Sequence, residues 1–235
     1  VRRAEKVLGK QKTGRPPDRF KTLLKNARAD FVGVARRFAR DAIADTKGAR
    51  NCIWIRLAAK RFFKDLERIE RDADDCSFTF SPDEANKACA FVECLPHVEG
   101  AWETPNIVLV PAQVFFLVNL FGFRKPDGSR RFSTALFAVA RKNAKSTLAA
   151  AIMLYVMCEE GELGGQIYAA ATTGDQAKVV FRIAKTMVER CHDLRRHYGV
   201  EAYSLEIRRF GTATFFKAIN AKASTQDGLN PQAFT

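Results

Sequence analysis

Ala135-Leu136-Phe137-Ala138-Val139-Ala140-Arg141-Lys142-Asn143-Ala144-Lys145-Ser146-Thr147-Leu148 is the stretch on which the fold turns. Its first six residues are continuously apolar, which fits a strand covered on both faces, where no alternation is needed. A polar loop follows, and Leu148, Ile152, Tyr155 and Val156 then recur at helical steps. The same grammar repeats downstream. Gln166–Ala171 reads as a second buried strand, Thr172-Thr173-Gly174 as a loop, and Asp175 to about Cys191 as a helix. Two strand-loop-helix units in succession predict an α/β fold, a parallel sheet flanked by helices.

The loop between the first strand and its helix carries the chemistry. Set against G-x-x-x-x-G-K-[ST], Lys145 and Ser146 fill the last two positions, while Ala144 and Val139 stand where the glycines belong. Backbone N–H groups at a helix N-terminus bind phosphate oxygens whatever the side chains. Lys145 is then placed to meet β- and γ-phosphates, Ser146 to be a ligand to Mg²⁺, and Arg141 and Lys142 to add cationic charge. If Ala144 needs a positive φ, its Cβ crowds the phosphates. The competing reading is a basic helix cap with no ligand.

The chain has 235 residues, 47 % of them hydrophobic, with 14 Gly and 8 Pro, so it can fill a core and is neither collagen-like nor mucin-like. No uncharged apolar run approaches the roughly 18 residues of a membrane span, and the basic N-terminus lacks the apolar stretch of a secretory signal, which favours a cytosolic setting. Lys and Arg number 39 against 26 Asp and Glu, and the whole +13 excess falls within residues 1–71. Residues 1–40 read as a basic arm, with Pro16-Pro17 and Thr13-Gly14 favouring an extended lead-in. Such an arm suits nucleic acid, although an acidic protein partner or simple solvation fits the charge as well.

Between arm and loop the sequence predicts a helical region. Ile55, Ala58, Ala59, Phe62, Leu66 and Ile69 recur at helical spacing, with Arg56, Lys60, Lys64 and Arg68 on the polar face, a pattern read as a core-packing helix in preference to a partner-binding one. Ser81-Pro82-Asp83-Glu84 has the N-cap serine and first-position proline of a helix start, and Pro96 and Gly100 end that helix. Ile107–Val110 is extended, Pro111 opens another helix, and Lys125-Pro126-Asp127-Gly128 is a turn. Residues 203–219 read as a hairpin turning near 208–211. The six cysteines are irregularly spaced and read as reduced and structural. Cys89, Cys94 and His97 lack the fourth ligand of a zinc site.

Arg141-Lys142-Asn143-Ala144-Lys145-Ser146-Thr147, with Gly128-Ser129-Arg130-Arg131-Phe132 before it and Tyr168-Ala169-Ala170-Ala171-Thr172-Thr173 after it, resembles the large subunit of tailed-phage terminases, in particular the HK97-like group. That family drives viral DNA into procapsids with ATP. The resemblance extends over most of the chain, from Ile53-Trp54-Ile55-Arg56-Leu57-Ala58 through Phe91-Val92-Glu93 and Gly100-Ala101-Trp102 to Ser224–Pro231, which is similar to the segment ahead of Walker B. It implies ATP and Mg²⁺ as ligands, held by residues 141–147. Lys145 would meet the β/γ-phosphates, Ser146 the metal, Arg141 the γ-phosphate charge, and Gln113, after Val110-Pro111-Ala112, the adenine. Ala144 replaces the family's glycine and Ala112 its aromatic residue.

The resemblance further implies double-stranded DNA, a portal protein and a terminase small subunit as partners. It also implies a homo-oligomer on the portal and a place in the cytoplasm of the infected bacterial host, without a membrane. The expected organisation is a basic arm at 1–40, a helical subdomain at 41–105 and a partial ATPase core at 106–235. The family's Walker B Asp-Glu and its nuclease domain have no counterpart in the sequence, which looks like a terminase fragment, and this stretch alone is expected to lack substantial ATPase or DNA-cleaving activity. The alternatives are a helicase-like P-loop translocase, whose usual loop keeps Gly before Lys, and a non-catalytic nucleic-acid-binding or assembly module with a vestigial phosphate loop.

Overall fold

The computed structural model of the chain describes residues 30–72, 75–160, 162–171, 173–220 and 231–235. Its helices are α1 (Phe31–Ala44), α2 (Ile53–Arg71), α3 (Pro82–Cys94), α4 (Pro111–Gly122), α5 (Lys145–Tyr155), α6 (Gly174–Arg190) and α7 (His192–Tyr198). The strands are β1 (Thr79–Phe80), β2 (Phe123–Arg124), β3 (Gln166–Ala171), β4 (Val200–Ala202), β5 (Glu206–Arg209), β6 (Thr214–Asn220) and β7 (Pro231–Phe234). β1 and β2 form a short antiparallel ribbon, and the other five make a sheet in the order β4-β5-β6-β3-β7.

That sheet is mixed. β3 runs parallel to both β6 and β7, as buried strands joined by helical crossovers do, whereas the hairpin β5–β6 and the edge strand β4 are antiparallel. The hairpin expected over 203–219 is there, with Gly211 (φ +86°) and Ala213 (φ +55°) in its turn. Ile167, Phe216 and Ile207, neighbours across the ladder, are fully buried, and Phe181 of α6 packs on the Phe216 ring at 5.7 Å. β7 is an element the sequence reading missed. The expected segment ahead of it, residues 224–230, lies outside the described residues.

The helical part is built on phenylalanine. Phe62 of α2 meets the rings of Phe63, Phe80, Phe115 and Phe123 at 5.5 to 6.1 Å, all edge-on, the geometry in which a positive ring edge faces a negative ring face. α1 packs into this cluster through Phe31, Ala35, Ala39 and Ala42, a row at helical spacing whose members are all fully buried. Asp30 caps it, accepting from the Gly33 N–H at 2.8 Å. Here the structure corrects the expected arm boundary: residues 31–40 are helix, because small apolar residues on one side let α1 lie close against its neighbours while Arg37 and Arg40 stay in solvent. Residues 1–29 of the expected arm lie outside the described residues. Ser81 caps α3 as expected, its Oγ accepting from Glu84 N at 3.3 Å, and Gly128 (φ +79°) closes the 125–128 turn by donating to Lys125 O.

A second correction concerns residues 135–140. They are extended but form no ladder with any described strand, and most are exposed, Leu136 by 88 %. An apolar run becomes a buried strand only where another strand lies against it, and the described residues bring none to this one. The edge of β7 that no described strand pairs instead faces it across a cleft.

α5 ends in a π-helical turn, Val156–Glu160, that carries two carboxylates into partly buried surroundings. Glu160 pairs with Arg130 at 3.1 Å and Arg124 at 3.3 Å, and Arg124 also reaches Glu84 at 3.1 Å. Glu159 pairs with Lys87 and accepts from the Tyr198 hydroxyl. Burial pushes the Glu160 carboxyl above the usual carboxylate range, with Arg130 and Arg124 opposing it. All six cysteines are free, and burial pushes the Cys94 thiol up to about 12, which keeps it protonated and unreactive. No helix among the described residues is long and apolar enough to cross a membrane.

Candidate functional site

The turn that joins the extended segment to α5 brings the expected residues together. Lys142 (φ +65°) and Ala144 (φ +53°, ψ +28°) are both left-handed, so the chain doubles back just before the helix. Alternation of left- and right-handed residues points successive N–H groups the same way, into a concavity suited to an anion. Asn143 braces the bend, its Nδ2 donating to Ala140 O and Arg141 O, both at 3.2 Å. Ala144 is the N-cap of α5, and its carbonyl accepts the first helical bond, from Leu148 N, at 2.9 Å. The amides of Lys145, Ser146 and Thr147 lie in the first turn, where a helix offers them no acceptor of its own, and the macrodipole adds partial positive charge there.

Lys145 folds back over the turn, and its Nζ donates to Val139 O at 2.8 Å. It has no carboxylate partner among the described residues, so its charge is uncompensated at the mouth of the bend. Arg141, Lys142, Asn143, Ala144 and Lys145 are exposed, and Ser146 and Thr147 are half-buried. Amides at a helix start, one ammonium, two further cations and two hydroxyls form a donor set that fits a polyphosphate with a divalent metal.

Behind the turn lies a cleft of about 690 Å³. Lys145 and Ser146 open into it. Its walls are Phe116 and Leu120 of α4, Leu148 and Ile152 of α5, and Ala233 of β7. Phe137 of the extended segment closes one side, its ring 4.8 Å from that of Phe116. Gln113 is not among the residues lining it. That side chain caps its own helix, its Oε1 accepting from Val110 N at 3.2 Å, and its amide NH₂ has no partner among the described residues. The bend thus gathers the residues at 141–147, and Gln113 stands apart on the first turn of α4. Sequence reasoning missed the pairs that Glu160 makes with Arg124 and Arg130, and Glu159 with Lys87, at the far end of α5, since pairs this distant along the chain leave no local signal.

The comparisons agree with this geometry. The family described as terminase large subunit, ATPase domain, matches residues 111–235. The large subunit of the terminase of Enterobacteria phage HK97 is 30 % identical over 147 residues, which are 62 % of this chain and 28 % of that protein. The chain therefore spans little more than a quarter of that relative's length. The crystal structure of the HK97 bacteriophage large terminase superposes with a TM-score of 0.51 at 26 % identity, covering 63 % of this chain and 29 % of that one. The described architecture, a mixed sheet flanked by helices with a phosphate-type turn ahead of α5, is thus a P-loop NTPase fold.

Proposed function

Because this chain belongs to the terminase large subunit ATPase-domain family, we propose that it is the nucleotide-binding part of the motor that packages viral DNA into procapsids. One observation carries the reading: a doubly left-handed bend at 142–144 runs directly into the N-terminus of α5, with Lys145 and Ser146 at its mouth. In this reading the amides of residues 143–147 hold the β- and γ-phosphates, and Lys145 leaves Val139 O to meet them. The Ser146 hydroxyl would hold Mg²⁺, which when bound would supply positive charge beside the γ-phosphoryl group. Arg141 and Lys142 add positive charge beside it, and Thr147 completes the first turn. Gln113 supplies its amide NH₂, which has no partner among the described residues, to the adenine edge.

Double-stranded DNA is the cargo, and the excess of cations in residues 1–71 suits it. The portal protein and the terminase small subunit are the proposed partners, with several copies acting as a ring on the portal in the cytoplasm of the infected host. Residues 106–235 form the partial ATPase core in this organisation, preceded by the helical unit and the basic arm. The test is equilibrium binding of a fluorescent ATP analogue with Mg²⁺. We expect binding in the micromolar range, lost at least tenfold in Lys145→Ala, and photocrosslinking of an azido-ATP within residues 141–147. Absence of binding in the wild-type chain would leave a non-catalytic assembly module, a role with which the Lys145–Val139 contact is compatible. Substantial steady-state hydrolysis lost in Lys145→Ala would overturn the expectation that this stretch alone turns over slowly.

A further inference from the structure

The outer side of α2 carries apolar surface that the fold does not use. Ile53, Trp54 and Leu57 are 55 %, 76 % and 48 % exposed. Leu57 stands four residues from Ile53 and three from Trp54, the two spacings at which side chains of one helix meet, so the three make one contiguous spot. On its opposite side the same helix buries Ala59, Phe62 and Leu66, so the spot is not a core face turned outward. Hydrogen bonds brace its platform. Asp45 closes the α1–α2 turn by accepting from Ala49, Arg50 and Asn51 N–H at 2.8 to 3.0 Å, and these amides hold its carboxyl below the usual range. Arg56 adds bonds to the carbonyls of Asp45 and Thr46. Around the spot, Lys47, Arg50, Lys60 and Lys64 are exposed and have no carboxylate partner among the described residues.

Charge discriminates among the possible occupants. Residues 1–29 hold only Glu5 and Asp18 as acids among many Lys and Arg, so their charge does not complement this face. A second copy brings the same +13 and the same cations. A nucleic-acid duplex satisfies the lysines but presents phosphates and sugars to Ile53, Trp54 and Leu57, leaving them wet. A partner that satisfies both halves has an apolar stripe and flanking carboxylates. We propose that the outer face of α2 is a docking surface for an acidic amphipathic helix of another protein, with Trp54 as its buried anchor and Lys60 and Lys64 as its charge guides. The inference does not depend on what the bend at 141–147 binds.

The test uses the full chain carrying Trp102→Phe, which leaves Trp54 as its one indole. The probe is a synthetic 18-residue helical peptide with Leu at i, i+3, i+4 and i+7 and Glu on both flanks. The controls are the same composition scrambled, the same helix with Lys for Glu, and an 18-base-pair DNA duplex. Supporting results are saturable binding in the micromolar range, a blue shift of Trp54 emission, and slowed amide exchange over residues 53–64. At least tenfold weaker binding is expected both in Trp54→Ser (in the chain with Trp102 intact) and in the Lys60→Glu, Lys64→Glu pair. Both variants change exposed residues, so their melting temperatures should match the parent. Equal binding of the scrambled or the basic peptide, or unchanged affinity in Trp54→Ser, overturns the proposal. So does displacement of the peptide by the duplex with its own blue shift, which would give the face to nucleic acid, or a concentration-dependent blue shift without ligand, which would give it to a second copy.

Discussion

Ala144 is where a single methyl group sets the quality of the bend. An L-residue held at φ +53° brings its Cβ against backbone and costs about 1 kcal/mol, a strain that glycine does not carry. Ala144→Gly should therefore stabilise the chain by about 1 kcal/mol, a rise in melting temperature of about 3 °C. The same change should tighten nucleotide severalfold in calorimetry if the methyl crowds the phosphates. A higher Tm with an unchanged Kd would separate the two effects, showing strain in the turn without obstruction of its mouth. The possible cost of alanine at this position was legible in the sequence, because only the pattern G-x-x-x-x-G-K-[ST] is needed to ask the question. The second left-handed residue, Lys142, was not legible, since nothing in a lysine's neighbours announces a positive φ.

At the scale of elements, a pair of substitutions probes the join between α5 and the helical unit. Arg124 is 12 % exposed and bridges Glu84 and Glu160, so Arg124→Ala leaves Glu84 without its partner and Glu160, already disfavoured by burial, with Arg130 alone. We expect a loss of about 3 kcal/mol, read from the urea midpoint. Tyr155 lies in the same region with a buried hydroxyl that has no hydrogen-bond partner among the described residues, so Tyr155→Phe should change stability by less than about 1 kcal/mol. A large loss in Tyr155→Phe with a small one in Arg124→Ala would invert this account of the junction. None of these pairs could be read beforehand, because Glu84, Arg124 and Glu160 are dozens of residues apart. Helices with a periodic face or a capped start were legible, as α2 shows for the first and α3 for the second. The row of alanines that buries α1 was hidden by Arg36, Arg37 and Arg40 between its members. β7 was hidden by its length and its leading proline, and residues 135–140 misled because an apolar run reports affinity for a core without reporting whether a neighbouring strand exists.

For the whole molecule, charge separates by region. The excess of +13 lies within residues 1–71, so removing residues 1–29, which leaves α1 intact, should weaken binding to a DNA duplex and flatten its dependence on salt. Each phosphate that is no longer neutralised lowers the slope of log K against log salt by about 0.9, so anisotropy titrations across a range of salt concentrations give the number of phosphates engaged. An unaltered slope would move phosphate binding to residues 30–235. The α/β class and the phosphate-type turn were legible at this scale because both rest on local patterns, whereas the site's division between the bend and the distant Gln113 is a matter of packing. The flank of β7 that no described residue pairs has a practical result. Strand backbone with vacant donors and acceptors recruits whatever polypeptide is nearest, so in crowded solution this flank is the first place to look when the preparation turns turbid.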